Sequence, residues 1–309
     1  MIKRVAVIGA GGLGAVYANI FVQAGIETKL VAKGDRYERL RRNGVYINEV
    51  QYKTPVLDAA GPDTGFIADL IVVATKYHHL TSALPDLANL VGPNTIFISL
   101  LNGLTSEDII GEMYGRDKIL LSIAMNLDAR REGNQIFHSR PPLLIFGEAS
   151  NITLSSKVRA VQDFLDRANI RYETPEDMQR AVWWKFMVNV GMNQSSAVTG
   201  ATYGRYKVEP ELRWLKETLM CEVIAVARAE GVDLRDEDAT SFYKTLDIIA
   251  EDGKTSMLQD IEASRKTEVE MFAPVVIELG DKHGIPTPVN RTILSVILSL
   301  ENTCKRSKV

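Results

Sequence analysis

A glycine-rich turn near the amino terminus constrains the fold more than any other part of this chain. The apolar run Val5–Ile8 leads into GAGGLG at 9–14, and a helical pattern follows directly. In this strand–turn–helix setting the motif glycines permit a tight turn, let the backbone approach a pyrophosphate, and let the helix pack on the strand. A purely structural glycine turn is the alternative. We predict that a dinucleotide is bound there by the following residues: Gly9, Gly11, Gly12, Leu13 and Gly14.

The residue that ends the second predicted strand indicates which dinucleotide binds. NAD-binding proteins usually place an acidic residue about 20 residues beyond the motif, where it accepts the ribose 2′-hydroxyl. This chain has Lys33 at that point, and Arg36 follows. Two cations would attract a 2′-phosphate, so we predict NADP (NADPH) as the cofactor. The alternatives are that both cations are solvated surface charges, and that Asp35 acts as an acid favouring NAD.

Short apolar runs alternate with helical patterns through the first half of the chain, which is typical of a parallel sheet with helical crossovers. After residue 174 the pattern changes to long helical segments. We therefore predict an α/β fold, in which an N-terminal Rossmann-type parallel-sheet domain (1–172) is followed by a C-terminal all-helical domain (173–309). The predicted strands are VAVIG (5–9), TKLVA (28–32), LIVVAT (70–75), TIFISL (95–100) and ILLSIAM (119–125).

Composition and charge exclude several classes of protein. A formal net charge of -3 leaves no excess of cations to bind nucleic acid or an anionic membrane surface. The two cysteines, Cys221 and Cys304, lack metal-ligand spacing and suit a reducing compartment. We expect a cytoplasmic protein without a bound metal.

A helical pattern over 176–198 brings three polar residues onto one face. Lys185, Asn189 and Asn193 are spaced four residues apart, which aligns them along the helix. The apolar sequence VWWKFMV around Lys185 would lower the pKa of its amine by desolvation, and such an amine can protonate a ketone oxygen as hydride reaches the carbon. The alternative is that Lys185 extends to solvent and that the asparagines make surface or interhelical contacts.

Two further polar residues follow directly after predicted strands. Lys76 comes after LIVVAT, and Asn102 comes after ISLL. Open α/β sheets bind ligands at the carboxyl ends of their strands, so both residues are candidates for the cofactor site. Ordinary loop polarity is the alternative for each.

The run KTSMLQDIEASRKTEVE at 254–270 predicts one helix that starts at Ser256 and carries Glu268 three turns later. Its mixed charges are typical of a solvated helix. Composition alone therefore does not mark Glu268 as a functional residue.

Five segments, taken in chain order, resemble the ketopantoate reductase family, also called 2-dehydropantoate 2-reductase. The resemblance covers nearly the whole chain and implies that NADPH reduces ketopantoate to pantoate on the route to pantothenate. It also implies a Rossmann domain joined to a helical domain, with the active site in the cleft. The matching segments are GAGGLG at 9–14, ATK at 74–76, LNG at 101–103, WWKFMVNVGMN at 183–193 and SMLQDIEASRKTEVE at 256–270.

The resemblance assigns roles that the local sequence leaves open. Lys185 matches the family's proton donor, and Glu268 matches the carboxylate that holds the hydroxyl end of the substrate. The other matched positions contact the substrate (Asn189, Asn193 and Ser256), lie near the nicotinamide and its ribose (Lys76 and Asn102) or face the 2′-phosphate (Lys33).

One departure concerns the segment after Glu268, where the family often has Asn-Gly or Ala-Gly. This chain has Ala273-Pro274, which predicts a kink in that helix. The sequence thus indicates an NADPH-dependent reductase of a small 2-oxo acid, acting as a monomer or a homodimer. Two alternatives remain open: a reductase of a different 2-oxo acid, and a sensor that binds NADP without turnover.

Overall fold

The protein, as a computed structural model, is described over residues 1–125, 129–133, 135–247 and 249–306. It divides into two compact units. The first unit comprises Met1–Leu101 and Thr105–Gln179, and the second comprises Asn102–Leu104 and Arg180–Val309.

The strands of the described chain all lie in the first unit. They are β1 (Arg4–Ile8), β2 (Glu27–Ala32), β3 (Val45–Ile47), β4 (Val50–Tyr52), β5 (Val56–Asp58), β6 (Ala68–Val73), β7 (Val91–Ser99), β8 (Ile119–Met125), β9 (Arg130–Glu132), β10 (Gln135–Phe137), β11 (Leu143–Gly147) and β12 (Arg171–Glu173). Its α-helices are α1 (Gly12–Gln23), α2 (Gly34–Asn43), α3 (Leu80–Ala83), α4 (Ser106–Tyr114) and α5 (Ser156–Arg167). Short 3₁₀ helices occupy Tyr77–His79, Leu84–Leu90 and Arg116–Lys118.

An eight-stranded sheet in the order β12-β11-β8-β7-β6-β1-β2-β5 forms the centre of the first unit. Side chains of β1 alternate between its two faces. Val5 and Val7 join one apolar core with Phe21 of α1, whereas Ala6 and Ile8 join a second core on the opposite face. Burial on both faces explains why the central strands are continuous apolar runs. The predicted Rossmann-type sheet is confirmed.

Two features of the sheet depart from the prediction. β11 runs antiparallel to β8, because the chain between them makes a short excursion through β9 and β10 instead of a helical crossover. A second, four-stranded sheet in the order β4-β3-β10-β9 was not predicted. Each of its strands has only three residues, which is too short for a periodic sequence pattern.

The second unit is helical, as predicted. Its helices are α6 (Met178–Thr199, in this unit from Arg180), α7 (Arg205–Val208), α8 (Pro210–Ala229), α9 (Asp236–Ser241), α10 (Tyr243–Leu246), α11 (Ser256–Glu262), α12 (Ala273–His283) and α13 (Pro288–Arg306). A buried polar chain links three of them. Gln194 of α6 donates to Asn290 of α13 at 3.0 Å, and Asn290 donates to Glu222 of α8 at 2.7 Å.

The prediction of one helix through Ser256 and Glu268 is wrong. α11 ends at Glu262, and Ser264 adopts a left-handed conformation with φ of +49° that a continuing helix does not allow. Glu268 instead occupies the N-cap position of a short 3₁₀ helix, Val269–Met271, without a capping hydrogen bond from its side chain. The kink predicted at Pro274 is also absent, because Pro274 lies in the first turn of α12, where the missing N–H removes no helical hydrogen bond.

Candidate active site

The glycine turn of the first unit joins β1 to α1. Gly9 has φ of +101°, and a Cβ on it would lie 2.4 Å from the backbone of Ala74. A Cβ on Gly14 would lie 2.1 Å from the carbonyl oxygen of Gly9. The fold itself therefore requires both glycines, since neither position has space for a side chain.

Gly11 differs from them, because a Cβ on it would meet nothing within 4 Å. Gly11 is also the N-cap residue of α1, and no side chain caps that helix. Next to the turn, the hydroxyl of Thr75 is buried and has no hydrogen-bond partner among the described residues. An open cradle, an uncapped helix N-terminus and an unpartnered hydroxyl fit the pyrophosphate of a dinucleotide.

Leu13 and Gly12 of the motif are packed against other parts of the first unit. The side chain of Leu13 is half-buried and packs against the apolar core. A Cβ on Gly12 would lie 3.1 Å from the Cβ of Ala129, so residue 129 covers this part of the turn.

The remaining cations predicted for the cofactor follow strands β2 and β6 of the same unit. Lys33 is exposed at the carboxyl end of β2 and forms an ion pair with Asp86, at 2.7 Å between Nζ and Oδ1. Arg36 has no hydrogen bond or ion pair with any described residue. Lys76 is exposed and immediately precedes the 3₁₀ helix Tyr77–His79.

In the second unit, α6 carries Lys185 as predicted. Its side chain is half-buried. The nearby residues Trp183 and Phe186 are buried, and their rings meet edge to face at 6.0 Å between centroids. Desolvation by this packing lowers the pKa of Lys185 to about 8. Its ammonium has no hydrogen-bond or ion-pair partner in the described part of the chain. Lys185 therefore combines a depressed pKa with free donor capacity.

The two asparagines of the same helix face are both buried. The amide nitrogen of Asn189 donates to Oδ1 of Asn102 at 3.1 Å, which brings together two predicted site residues that are 87 positions apart. The side-chain amide of Asn193 has no partner among the described residues. The amide of a largely buried residue that has no protein partner is suited to contact a ligand.

Ser256 is joined to this helix through its neighbour. Thr255 caps α11, because its hydroxyl accepts from the N–H of Leu258 at 3.2 Å. The same hydroxyl bonds that of Ser196 at 2.5 Å, and Ser196 in turn donates to the carbonyl of Asn193 at 3.1 Å. Ser256, the exposed residue that follows Thr255, therefore lies near the turn of α6 that contains Asn193 and Ser196.

Glu268 is half-buried, and the residue before it is fixed by α13. The buried carboxylate of Glu301 accepts from the N–H of Thr267 at 2.8 Å and from its hydroxyl at 2.5 Å. The hydroxyl of Thr267 also accepts from the N–H of Val269 at 3.3 Å. The backbone on both sides of Glu268 is thereby held in place.

Sequence reasoning did not identify Thr75, Ser196, Thr255 or Glu301. Only Thr255 had a local signal, because a threonine directly before an apolar helical run is a common N-cap. Among the described residues, no cluster of His, Cys, Asp and Glu could hold a metal ion, and the side chain of Cys304 lies outside them. None of the described helices is both long enough and apolar enough to cross a membrane.

Comparisons with known proteins cover both units. The family model "Ketopantoate reductase PanE/ApbA" matches residues 5–151, and "Ketopantoate reductase PanE/ApbA C terminal" matches residues 177–301. A 2-dehydropantoate 2-reductase of Streptococcus pyogenes is 28% identical over 272 residues, which cover 86% of this chain and 87% of that protein.

Solved structures share the fold over almost the whole chain. D-mandelate dehydrogenase in a ternary complex with NADH and anilino(oxo)acetate has a TM-score of 0.89 at 22% identity, covering 98% of this chain and 99% of that one. A dimeric ketopantoate reductase of Staphylococcus aureus has a TM-score of 0.82 at 22% identity, covering 97% and 99%.

Proposed function

Because the chain belongs to the ketopantoate reductase family of oxidoreductases, we propose that it reduces 2-dehydropantoate (ketopantoate) to pantoate with NADPH, as a step of pantothenate biosynthesis. One observation carries the proposal. On one face of α6, Lys185 has an unpartnered ammonium with a pKa lowered to about 8, and the buried amide of Asn193 lies two turns further on.

Reduction of a ketone requires a hydride at the carbonyl carbon and a proton at its oxygen. NADPH supplies the hydride when it is bound. Lys185 stabilises the negative charge that grows on the oxygen and then donates its proton there. An ammonium with a pKa near 8 is still charged at neutral pH, and it releases a proton more readily than an ordinary lysine.

The other polar residues of the second unit bind and orient the substrate in this proposal. The amides of Asn189 and Asn193 and the hydroxyl of Ser256 are hydrogen-bond donors for an anionic 2-oxo acid. Glu268 is suited to accept a hydrogen bond from a hydroxyl group of the substrate, which ketopantoate has and simpler 2-oxo acids lack. Binding of that hydroxyl would therefore separate ketopantoate from its simpler analogues.

The nucleotide is assigned to the first unit, where Gly11 and the N-terminus of α1 would hold its pyrophosphate. Because Lys33 and Arg36 would attract a 2′-phosphate, we propose NADP and not NAD as the cofactor. Lys76 and Asn102 are proposed to lie near the nicotinamide and its ribose.

A second 2-oxo acid reductase activity is favoured by one observation, since the D-mandelate dehydrogenase with the same fold binds NADH and a bulky 2-oxo acid analogue. A sensor without turnover is less well supported, because it would not need an acidic ammonium on α6. We also propose that the protein is cytoplasmic and acts as a monomer or a homodimer; the ketopantoate reductase of Staphylococcus aureus with the same fold is dimeric.

The test is a matrix of NADPH and NADH against ketopantoate, pyruvate, 2-oxoisovalerate and benzoylformate, followed by cofactor absorbance. We expect the highest kcat/KM with NADPH and ketopantoate. Preference for benzoylformate with NADH would assign the second activity instead. Tight NADPH binding without oxidation by any 2-oxo acid would support the sensor.

A further inference from the structure

Besides Arg36 and Arg39 of α2, a third arginine, Arg131, lies against the glycine turn although it is distant in sequence. Arg131 is on β9, the edge strand of the small sheet. Its Nη1 donates to the carbonyl oxygen of Ala10 at 2.9 Å, and its Nε donates to the carbonyl oxygen of Gly133 at 2.9 Å. These bonds use two of the five N–H donors of the guanidinium, and the other three have no partner among the described residues.

Arg36 and Arg39 lie close to this guanidinium on the first unit. They are three residues apart near the start of α2, so they share one helix face. β2, which leads into α2, pairs in parallel with β1, with Val31 beside Ile8. The start of α2 is therefore adjacent to the turn that follows β1.

The three guanidinium groups repel each other, and none of them forms an ion pair with a carboxylate of the described residues. Desolvation and the charges of Arg36 and Arg39 lower the pKa of Arg131, and desolvation and Arg39 lower that of Arg36. Neither Arg36 nor Arg39 has a hydrogen bond or ion pair with a described residue. Such a concentration of unpaired positive charge costs stability unless an anion is bound there.

Lys33, the cation that the sequence singles out, is in a different situation. Its ammonium is already paired with Asp86 at 2.7 Å. A phosphate that recruits Lys33 must therefore compete with a carboxylate, whereas Arg36 and Arg39 have no such partner among the described residues.

We propose that Arg131, together with Arg36 and Arg39, forms the binding site for the 2′-phosphate of NADPH, and that Arg131 determines the preference for NADPH over NADH. This inference rests on the proposed function. The pyrophosphate has its own partners in the N-terminus of α1 and the space at Gly11, so the arginine cluster is left for the second anionic group of the cofactor.

The test measures equilibrium binding of 2′,5′-ADP and of 5′-AMP by calorimetry, because these fragments differ only in the 2′-phosphate. We expect R131A and R36A each to weaken 2′,5′-ADP about tenfold to hundredfold, the effect of losing a charged hydrogen bond, and to leave 5′-AMP nearly unchanged. R42A is the matched control, since it removes one positive charge from the end of the same helix.

R131A removes a hydrogen bond to Ala10 and could rearrange the turn. R36A is the second variant for this reason, because Arg36 makes no hydrogen bond with any described residue of the turn. Equal losses for both fragments in both variants would overturn the inference and assign the cluster to the pyrophosphate. An undiminished preference for 2′,5′-ADP in both variants would also overturn it. Absence of any preference in the wild-type protein would refute the choice of NADPH itself, which is a separate failure.

Discussion

Lys185 should give the reaction a pH dependence that follows from its surroundings. Burial against apolar neighbours lowers the pKa of its ammonium from the ordinary 10.5 to about 8. Each pKa unit corresponds to about 1.4 kcal/mol, so this packing disfavours the charged form by about 3 kcal/mol. The proton donor is therefore present below pH 8 and is lost as the pH rises above it.

The rate of keto acid reduction should follow this titration. We expect kcat/KM to fall about tenfold per pH unit above pH 8, since kcat/KM reports the pKa values of the free enzyme. The bound 2-oxo acid brings a negative charge, which favours the ammonium, so the decline of kcat should begin at higher pH. K185M should lower kcat about a hundredfold to ten-thousandfold, the usual contribution of a general acid.

Initial rates from pH 6 to 10 for the wild type and K185M test this reasoning, with NADPH binding followed separately by fluorescence. NADPH affinity should be the same in both proteins. The assignment is refuted if K185M keeps more than a tenth of the wild-type kcat, or if its residual activity declines with the same pKa.

Three further substitutions test other parts of the structure. Burial raises the pKa of Glu107 to about 7, so its ionisation should reduce the free energy of unfolding by up to about 3 kcal/mol as the pH rises from 5 to 8. Urea titrations should show that E107Q lacks this loss. The same pH dependence of unfolding free energy in E107Q and the wild type would contradict the prediction. D86N should release Lys33 from its ion pair with Asp86 and increase the preference for NADPH over NADH several-fold at low salt. A reduced preference would instead mean that the ion pair positions Lys33 for the cofactor. E301Q should raise the KM for the keto acid about fivefold, the effect of about 1 kcal/mol, with NADPH affinity unchanged; an unchanged KM would show that Glu301 does not position Glu268.

The features predicted correctly from the sequence are those set by local patterns. The glycine turn between β1 and α1 depends on six consecutive residues and on their immediate flanks. The face shared by Lys185, Asn189 and Asn193 follows from the helix period alone. Local patterns also predict the central strands, because burial on both faces requires continuous apolar runs.

The features missed depend on contacts between distant parts of the chain. The pairing of Asn102 with Asn189 and the pairing of Lys33 with Asp86 have no local signal. β3 pairs with β10 across about ninety residues, which no sequence period can indicate. The end of α11 at Glu262 was not predicted, because the residues that follow it are compatible with a helix. Tertiary contacts, such as that of Thr267 with Glu301, override this weak helical preference.

Three of the four glycines of the turn are constrained in different ways by their surroundings. Gly9 and Gly14 are fixed by architecture, because a methyl group at either one would collide with backbone atoms. Gly11 borders only open space, so alanine there would leave the folded chain intact while filling the cradle for the nucleotide. A descendant that abandoned its cofactor could therefore lose Gly11 early and keep the other two, and substitution at this single position would record the loss of the reaction before the fold itself changed.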